Sequence, residues 1–305
     1  MAQTSLLVNK KKASLSFSGH ETFVCRYSWL KKACDAVSVN PLIFTDESAI
    51  ATLGVGKNMV HSIRHWAKSF GILEDDQGSV KLSDLAKNIF TDDGWDPYLE
   101  DQGTLWLLHW NLASNQELAT TFYYAFNKLN SIEFTKQQLI NELMAFTEDH
   151  CVKVSPNTIS KDVDIFIRTY VDSHSSKKIP IEDSLDCPLV ELDLLSESSL
   201  RGIYRFLRSD KPNLPMEIFI YSLIDFKERY FPETNILAFE DIVYKAGSPG
   251  LIFKIDEDAL SYRLSKLEEM TEAKIRFDET SALRQLYITD HIDKQTFLKS
   301  FYSKC

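Results

Sequence analysis

Apolar residues recur along this chain mostly at three- and four-residue spacing, which predicts a mainly helical protein with a few short strands. The stretch 48–73, SAIATLGVGKNMVHSIRHWAKSFGIL, is the clearest case. Ala49, Ile50 and Leu53 give a short helix one apolar side. Gly54 and Gly56 bracket a turn in which left-handed backbone is cheap for glycine. A second helix is expected from Lys57 to Phe70, stopped by Gly71. Met59, Val60, Ile63, Trp66, Ala67 and Phe70 share one of its faces, while Lys57, His61, Arg64 and Lys68 form a stripe roughly opposite. Glu74 to Gly78 then reads as a polar turn between two short strands, and Ser83 as the cap of a helix over 84–90. Helix, turn, helix and hairpin in this order predict a winged-helix module.

The remaining pattern extends this picture. Residues 1–13 are polar, with lysines at 10–12. In SFSGHETFVCRYSWL, Ser18 or Thr22 is expected to cap a helix carrying Trp29 to Val37. Pro97 suits the first turn of a helix starting near Asp96, whose apolar run is Leu105 to Leu112. Helical spacing continues to Leu143, with Thr135 as a cap. Ser155-Pro156 opens a helix to Val171, read either as a scaffold copy of a helix-turn-helix or as bundle packing. After a polar boundary at 174–186 come short strand-like pieces at 192–195 and 203–207 and a long helix over 214–231. Residues 238–288 repeat the outline of helix, turn, Asp256-capped helix and two strands. There Arg263, Lys266, Arg276 and Arg284 are diluted by Glu268, Glu269 and Glu272. The expected fold is mainly α with small β wings, in tandem winged-helix/helix-turn-helix modules. Its expected divisions are 1–130, an N-terminal winged-helix DNA-binding domain; 131–200, a helical middle region; and 201–305, a C-terminal winged-helix-like domain.

Composition narrows the function classes. At 305 residues and a formal net charge of −10, the chain is long enough for two or three domains and too acidic to coat nucleic acid indiscriminately. Yet 48–73 contains no Asp or Glu, which favours a local DNA-contacting surface of Lys57, Asn58, His61, Arg64, His65 and Lys68. The alternative is an amphipathic helix with a solvated basic face. Five cysteines without CxxC spacing exclude a zinc finger and a disulfide framework. No signal-like or membrane-length apolar run occurs, so a cytoplasmic protein without a membrane partner is expected. GVGKN lacks the spacing of a nucleotide-binding P-loop.

Two clusters carry candidate chemistry. His20 and Glu21 could do acid–base work, or Glu21 could pair with Arg26 in a buried polar staple. Asp96, Glu100 and Asp101 could hold Mg²⁺ through oxygen ligands, or simply complement a helix N-terminus. Together they make His20, Glu21 and Asp96 candidate catalytic residues for metal-assisted phosphodiester hydrolysis.

Several separated motifs then agree in order: FSGHETF at 17–23, LGVGKNMVHSIRHWA at 53–67, GWDPYLEDQGTLWLLHW at 94–110, GSPGLIFKID at 247–256 and DETSALRQLYI at 278–288. In these the chain resembles an SspB-like bacterial family, catalogued mainly as a domain of unknown function. Its genes sit in DNA phosphorothioation and related phage-defence clusters. The resemblance implies a DNA-binding component of an antiviral DNA-modification system, a nickase that opens DNA for sulfur insertion, with Mg²⁺ as the cofactor of nicking. It also implies a desulfurase, an ATPase and a sulfur-transfer enzyme as partners. A non-catalytic specificity or adaptor subunit that recruits this machinery is the alternative. The resemblance carries over no catalytic residue set.

Overall fold

In the computed structural model, which describes residues 14–172, 187–280, 283–289 and 292–304, the first helix is α1 (Tyr27–Val39). Neither Ser18 nor Thr22 caps it. Arg26 holds the cap position without a side-chain bond, and Ser18 and Thr22 sit in a turn with left-handed backbone. A 3-10 turn (Ile43–Thr45) leads to α2 (Ala49–Leu53), a glycine turn with Gly54 at φ 66°, and α3 (Lys57–Ser69). Val60, Ile63, Trp66 and Ala67 bury the inner side of α3, as the apolar spacing requires. The hairpin β1 (Leu73–Asp76) and β2 (Ser79–Leu82) follows, closed by Gln77-Gly78 with both residues at positive φ. The Val80 N–H donates to the Pro41 carbonyl at 3.1 Å, so the chain after α1 lies along the free edge of β2. Ser83 caps α4 (Asp84–Phe90).

The helix expected from Asp96 begins later. Residues 96–101 are irregular, Leu99 is left-handed at φ 59°, and Asp101 caps α5 (Gln102–Ser114). Helix α5 is buried almost all round, including Trp106, His109 and Trp110, and forms the central rod of the molecule. Helix α6 (Thr120–Asn127) packs on it. Then come β3 (Glu133–Thr135), α7 (Lys136–Asp149) and α8 (Pro156–Tyr170), and after them β4 (Leu195–Glu197) and β5 (Ile203–Phe206). These strands form an antiparallel sheet of order β3-β5-β4 that straddles residue 200. The expected boundary at 174–186 lies outside the described residues, as do residues 1–13.

The C-terminal region repeats that order. It comprises α9 (Met216–Tyr230), β6 (Ile236–Ala238), α10 (Phe239–Tyr244), α11 (Pro249–Ile252), α12 (Glu257–Ser265), α13 (Leu267–Met270), β7 (Ile275–Glu279) and β8 (Arg284–Ile288). Its sheet is β6-β8-β7, so in both regions a leading strand bonds the last strand of a later hairpin. The protein is thus mainly helical, with small antiparallel sheets of two and three strands. Helix α14 (Gln295–Tyr302) returns to α9 and to the start of α5. The Thr104 and Tyr302 hydroxyls bond at 2.8 Å, and the Trp95 and Tyr302 rings stack with centroids 4.7 Å apart. Cys25, Cys34, Cys151 and Cys187 form no disulfide among the described residues. Among the described residues no helix is long and apolar enough to cross a membrane.

Candidate nucleic-acid interface

The α2–turn–α3 unit divides the predicted contact residues into three groups. Lys57, Asn58 and His61 stand exposed on the first two turns of α3. Gly56 at the N-cap offers no side chain, so the first N–H groups of α3 are uncapped by any side chain. A Cβ at Gly54 or Gly56 would meet nothing within 4 Å, so another molecule's backbone can approach the turn closely. Arg64 is half-buried in a narrow cleft beside Pro41, Phe44, Gly78 and Ser79, between α3 and the hairpin turn. Its Nε has no hydrogen-bond partner and its guanidinium no carboxylate partner among the described residues.

Lys68 and His65 behave differently. Lys68 is bonded to Asp75 of β1 at 2.7 Å. Strand β1 carries Glu74, Asp75 and Asp76 in succession, so the hairpin presents carboxylates and neutralises the C-terminal end of the basic stripe. His65 turns inward, edge-on to Trp66, with Gly19 packed against its ring so closely that a Cβ there would overlap it. Burial, with neighbouring His20 adding to it, pushes the His65 pKa down to about 4. It is therefore a neutral packing residue at pH 7, not part of the exposed face.

Next to this face lies the 18–22 loop, with Ser18, Glu21 and Thr22 all left-handed, conformations that persist only when their surroundings hold them. The holder is Asp162, buried on α8. One Asp162 oxygen accepts from the Ser18 N–H at 2.5 Å and from His20 Nε2 at 2.8 Å; the other accepts from the Thr121 hydroxyl at 3.0 Å. His20 Nδ1 accepts from the Thr22 N–H at 3.2 Å, which assigns the ring proton to Nε2. Both nitrogens of His20 are thus committed, its ring is buried over Trp66, and its carbonyl accepts from Ser62. Glu21 reaches His61 Nδ1 at 3.8 Å and does not make the expected staple with Arg26, whose guanidinium lies over Trp29. Asp162 was readable only as a carboxylate set among apolar positions, three after Ile159 and four before Phe166.

The three acidic candidates are committed to backbone or left apart. Asp96 is buried, and its two oxygens accept from the Glu100 and Asp101 N–H groups at 2.8 and 3.2 Å. Asp101 accepts from the Gly103 N–H at 2.6 Å, at the N-terminus of α5. Glu100 is exposed. Among the described residues no group of three or more His, Cys, Asp or Glu side chains is placed to hold a metal.

Comparison with known proteins agrees with this architecture. A magnesium ion-bound crystal structure of SspB is 29% identical with a TM-score of 0.85, covering 94% of this chain and 88% of that one. A second SspB crystal structure has the same identity and TM-score, covering 96% and 90%. No curated protein matches the sequence significantly. The profile of a protein family of unknown function, DUF4007, matches residues 17–302, and this chain belongs to that family.

Proposed function

We propose that this chain is the DNA-engaging component of a bacterial DNA phosphorothioation defence system, gripping duplex through α2, the glycine turn and α3 and recruiting the sulfur-transfer machinery. The observation that carries the reading is the N-terminal half of α3. Lys57, Asn58, His61 and Arg64 line one side of it, and Lys57 and Arg64 have no carboxylate partner among the described residues. An uncapped helix N-terminus beside a side-chain-free turn suits a backbone phosphate, because its N–H groups and the helix dipole both favour negative charge. The likeness to SspB supports the system; in this reading its partners are a desulfurase, an ATPase and a sulfur-transfer enzyme in the cytoplasm. In this reading the three helix–hairpin units are winged-helix modules, and DNA contact is confined to the first. Domain limits then move from 131–200 and 201–305 so that β5 stays with β3 and β4.

The test is fluorescence anisotropy with a duplex at moderate salt. Lys57→Glu with Arg64→Glu should abolish binding while the circular dichroism spectrum stays unchanged. Two phosphate-neutralising cations should give the wild type a log–log salt slope of about −1.8. Unchanged affinity in the double variant would overturn the assignment of α3.

A second reading, strand nicking, is favoured by the magnesium in one SspB structure. In this reading Glu21 and His61, solvent-accessible beside α3, are the groups able to reach DNA, whereas His20 and Asp96 act as positioning residues. Relaxation of supercoiled plasmid by purified protein, with Mg²⁺ and with chelator, decides the matter. Nicking lost in Glu21→Ala with DNA binding retained supports scission; no nicking even with partner proteins present supports the adaptor role.

A further inference from the structure

Three cations are buried between the middle and C-terminal sheets: Lys211, Lys254 and Arg263. Two of them are spent on carbonyls. Lys211 Nζ donates to Asp193 and Leu207, and the Arg263 guanidinium donates to Leu214, Asp210 and Lys211. Lys254 is different. Its Nζ donates to one carbonyl, that of Phe126 at 2.9 Å, and otherwise faces the rings of Phe206 and Phe126 at 4.1 and 5.2 Å. Two of its three N–H directions have no protein acceptor among the described residues.

Lys254 lines a cavity of about 270 Å³ together with Arg208, Asn127, Asn130, Ser131 and Tyr244. No carboxylate lines it. Glu257, which accepts from the Tyr244 hydroxyl, lines the neighbouring groove and not this cavity. The backbone fixes the two cations side by side. Residues 208–210 run parallel to 254–256: Ser209 N–H donates to the Lys254 carbonyl at 3.2 Å and Asp256 N–H to the Ser209 carbonyl at 3.3 Å. Lys254 itself is held left-handed at φ 53°. Arg208 is exposed and also lines the carboxylate-bearing groove, but Lys254 is buried beside a polar cavity with no carboxylate in its lining, a cost that an anion entering the cavity would offset.

We propose that this cavity binds the phosphoryl group of a nucleotide, either free or at the end of a DNA strand. Lys254 and Arg208 supply the charge, and Asn130 and Ser131 the neutral hydrogen bonds. The volume lies just below the ~300–1,000 Å³ of ordinary small-ligand sites, so it takes a phosphoryl group with little more than its sugar. Tyr244 is half exposed where the cavity opens and gives a ring on which a base can stack. Burial, reinforced by Arg208, pushes the Lys254 pKa well below the lysine range, and an entering phosphoryl dianion supplies the charge that draws the proton back.

The site is independent of α3, and the test keeps the two apart. Isothermal titration at constant ionic strength would use inorganic phosphate, a deoxynucleoside 5′-monophosphate, and short single strands with and without a 5′-phosphate. The wild type should bind the phosphorylated ligands and discriminate against the unphosphorylated strand. Arg208→Gln and Lys254→Met should each weaken that binding by at least about tenfold, as loss of a charge-assisted bond requires. The Lys57→Glu/Arg64→Glu variant should bind the mononucleotide as the wild type does. Arg208 is exposed, so its substitution keeps the test valid if Lys254→Met fails to fold. Tighter binding of the phosphorylated strand than of the mononucleotide assigns the site to a DNA end, and the reverse assigns it to a free nucleotide. A wild type indifferent to phosphate, or Arg208→Gln with unchanged affinity, would refute the site.

Discussion

Replacing Asp162 by alanine should separate a structural His20 from a catalytic one. The substitution strands the Ser18 N–H and the His20 Nε2–H, both buried or partly buried, while the Thr121 hydroxyl can rotate to another acceptor. Two lost bonds to a charged acceptor, at about 1.5–3 kcal/mol each, give roughly 3–6 kcal/mol. At about 2–4 °C per kcal/mol for domains of 150–250 residues, the melting midpoint should fall by roughly 6–24 °C. Circular dichroism reports the melt. Tryptophan fluorescence follows it locally, because Trp66 stacks on His20 with centroids 6.4 Å apart. Asp162→Asn keeps two acceptor sites and should lose less. An Asp162→Ala variant that melts within a degree or two of the wild type would refute the structural role of His20. So would a His20→Gln variant that loses a DNA-directed activity without any change in melting.

Other outcomes follow from the same geometry. Asp75→Asn frees Lys68 from the hairpin and should tighten duplex binding while steepening the salt slope by about 0.9; an unchanged slope would mean that Lys68 never reaches phosphate. Burial holds His109 neutral with a pKa near 3 and His65 near 4, against 6.5 for an ordinary histidine. Below pH 6.5 the unfolded chain therefore binds protons that the folded chain refuses. Stability should be undiminished above that pH and fall as pH drops toward 4, by about 1.4 kcal/mol per pH unit for each histidine. A urea midpoint constant from pH 7 to 5 would contradict this. Gly19→Ala drives a methyl into the His65 ring and should cost about 1–3 kcal/mol, largely recovered when His65→Ala is added; strictly additive effects would rule out the contact.

Features made by neighbours in sequence were legible before the structure. Ser83, Thr135, Ser155 and Asp256 each cap the helix they precede, because a cap needs only a side-chain oxygen within three residues of a free N–H. The turn expected over Glu74 to Gly78 is confined to Gln77-Gly78, because Glu74 to Asp76 pair with β2. Pro97 and the surrounding carboxylates imitate a helix start, but Asp96 closes a loop on the N–H groups of 100 and 101, and the true cap is Asp101. Of the strand-like pieces expected at 192–195 and 203–207, the second coincides with β5 and the first ends where β4 begins, whereas β3, three residues long, is too short for a period of two to show and finds its partner some seventy positions away. The same distance in sequence hid the site chemistry. His20 meets Asp162 142 positions on, and Lys254 meets the 208–210 segment only through a backbone bridge. The Lys68–Asp75 pair was hidden for a nearer reason: a stripe drawn on one helix takes no account of the carboxylates on the hairpin behind it.

The seating of α14 against the start of α5 has a consequence for how the chain is made. Tyr302 bonds Thr104, 198 positions earlier, and also stacks on Trp95, while Phe301 covers Gly103. At synthesis rates of about 5–20 residues per second, the ribosome needs roughly 10–40 s to travel between those partners. Through that interval the Trp95 ring and the first turn of α5 have no lid, long after α1 to α4 have emerged. The N-terminal unit therefore cannot be finished during its own synthesis. It depends on residues made some two hundred positions after it, so a chain terminated before α14 should expose an apolar surface around Trp95 and the start of α5 and be marked for chaperones or proteolysis.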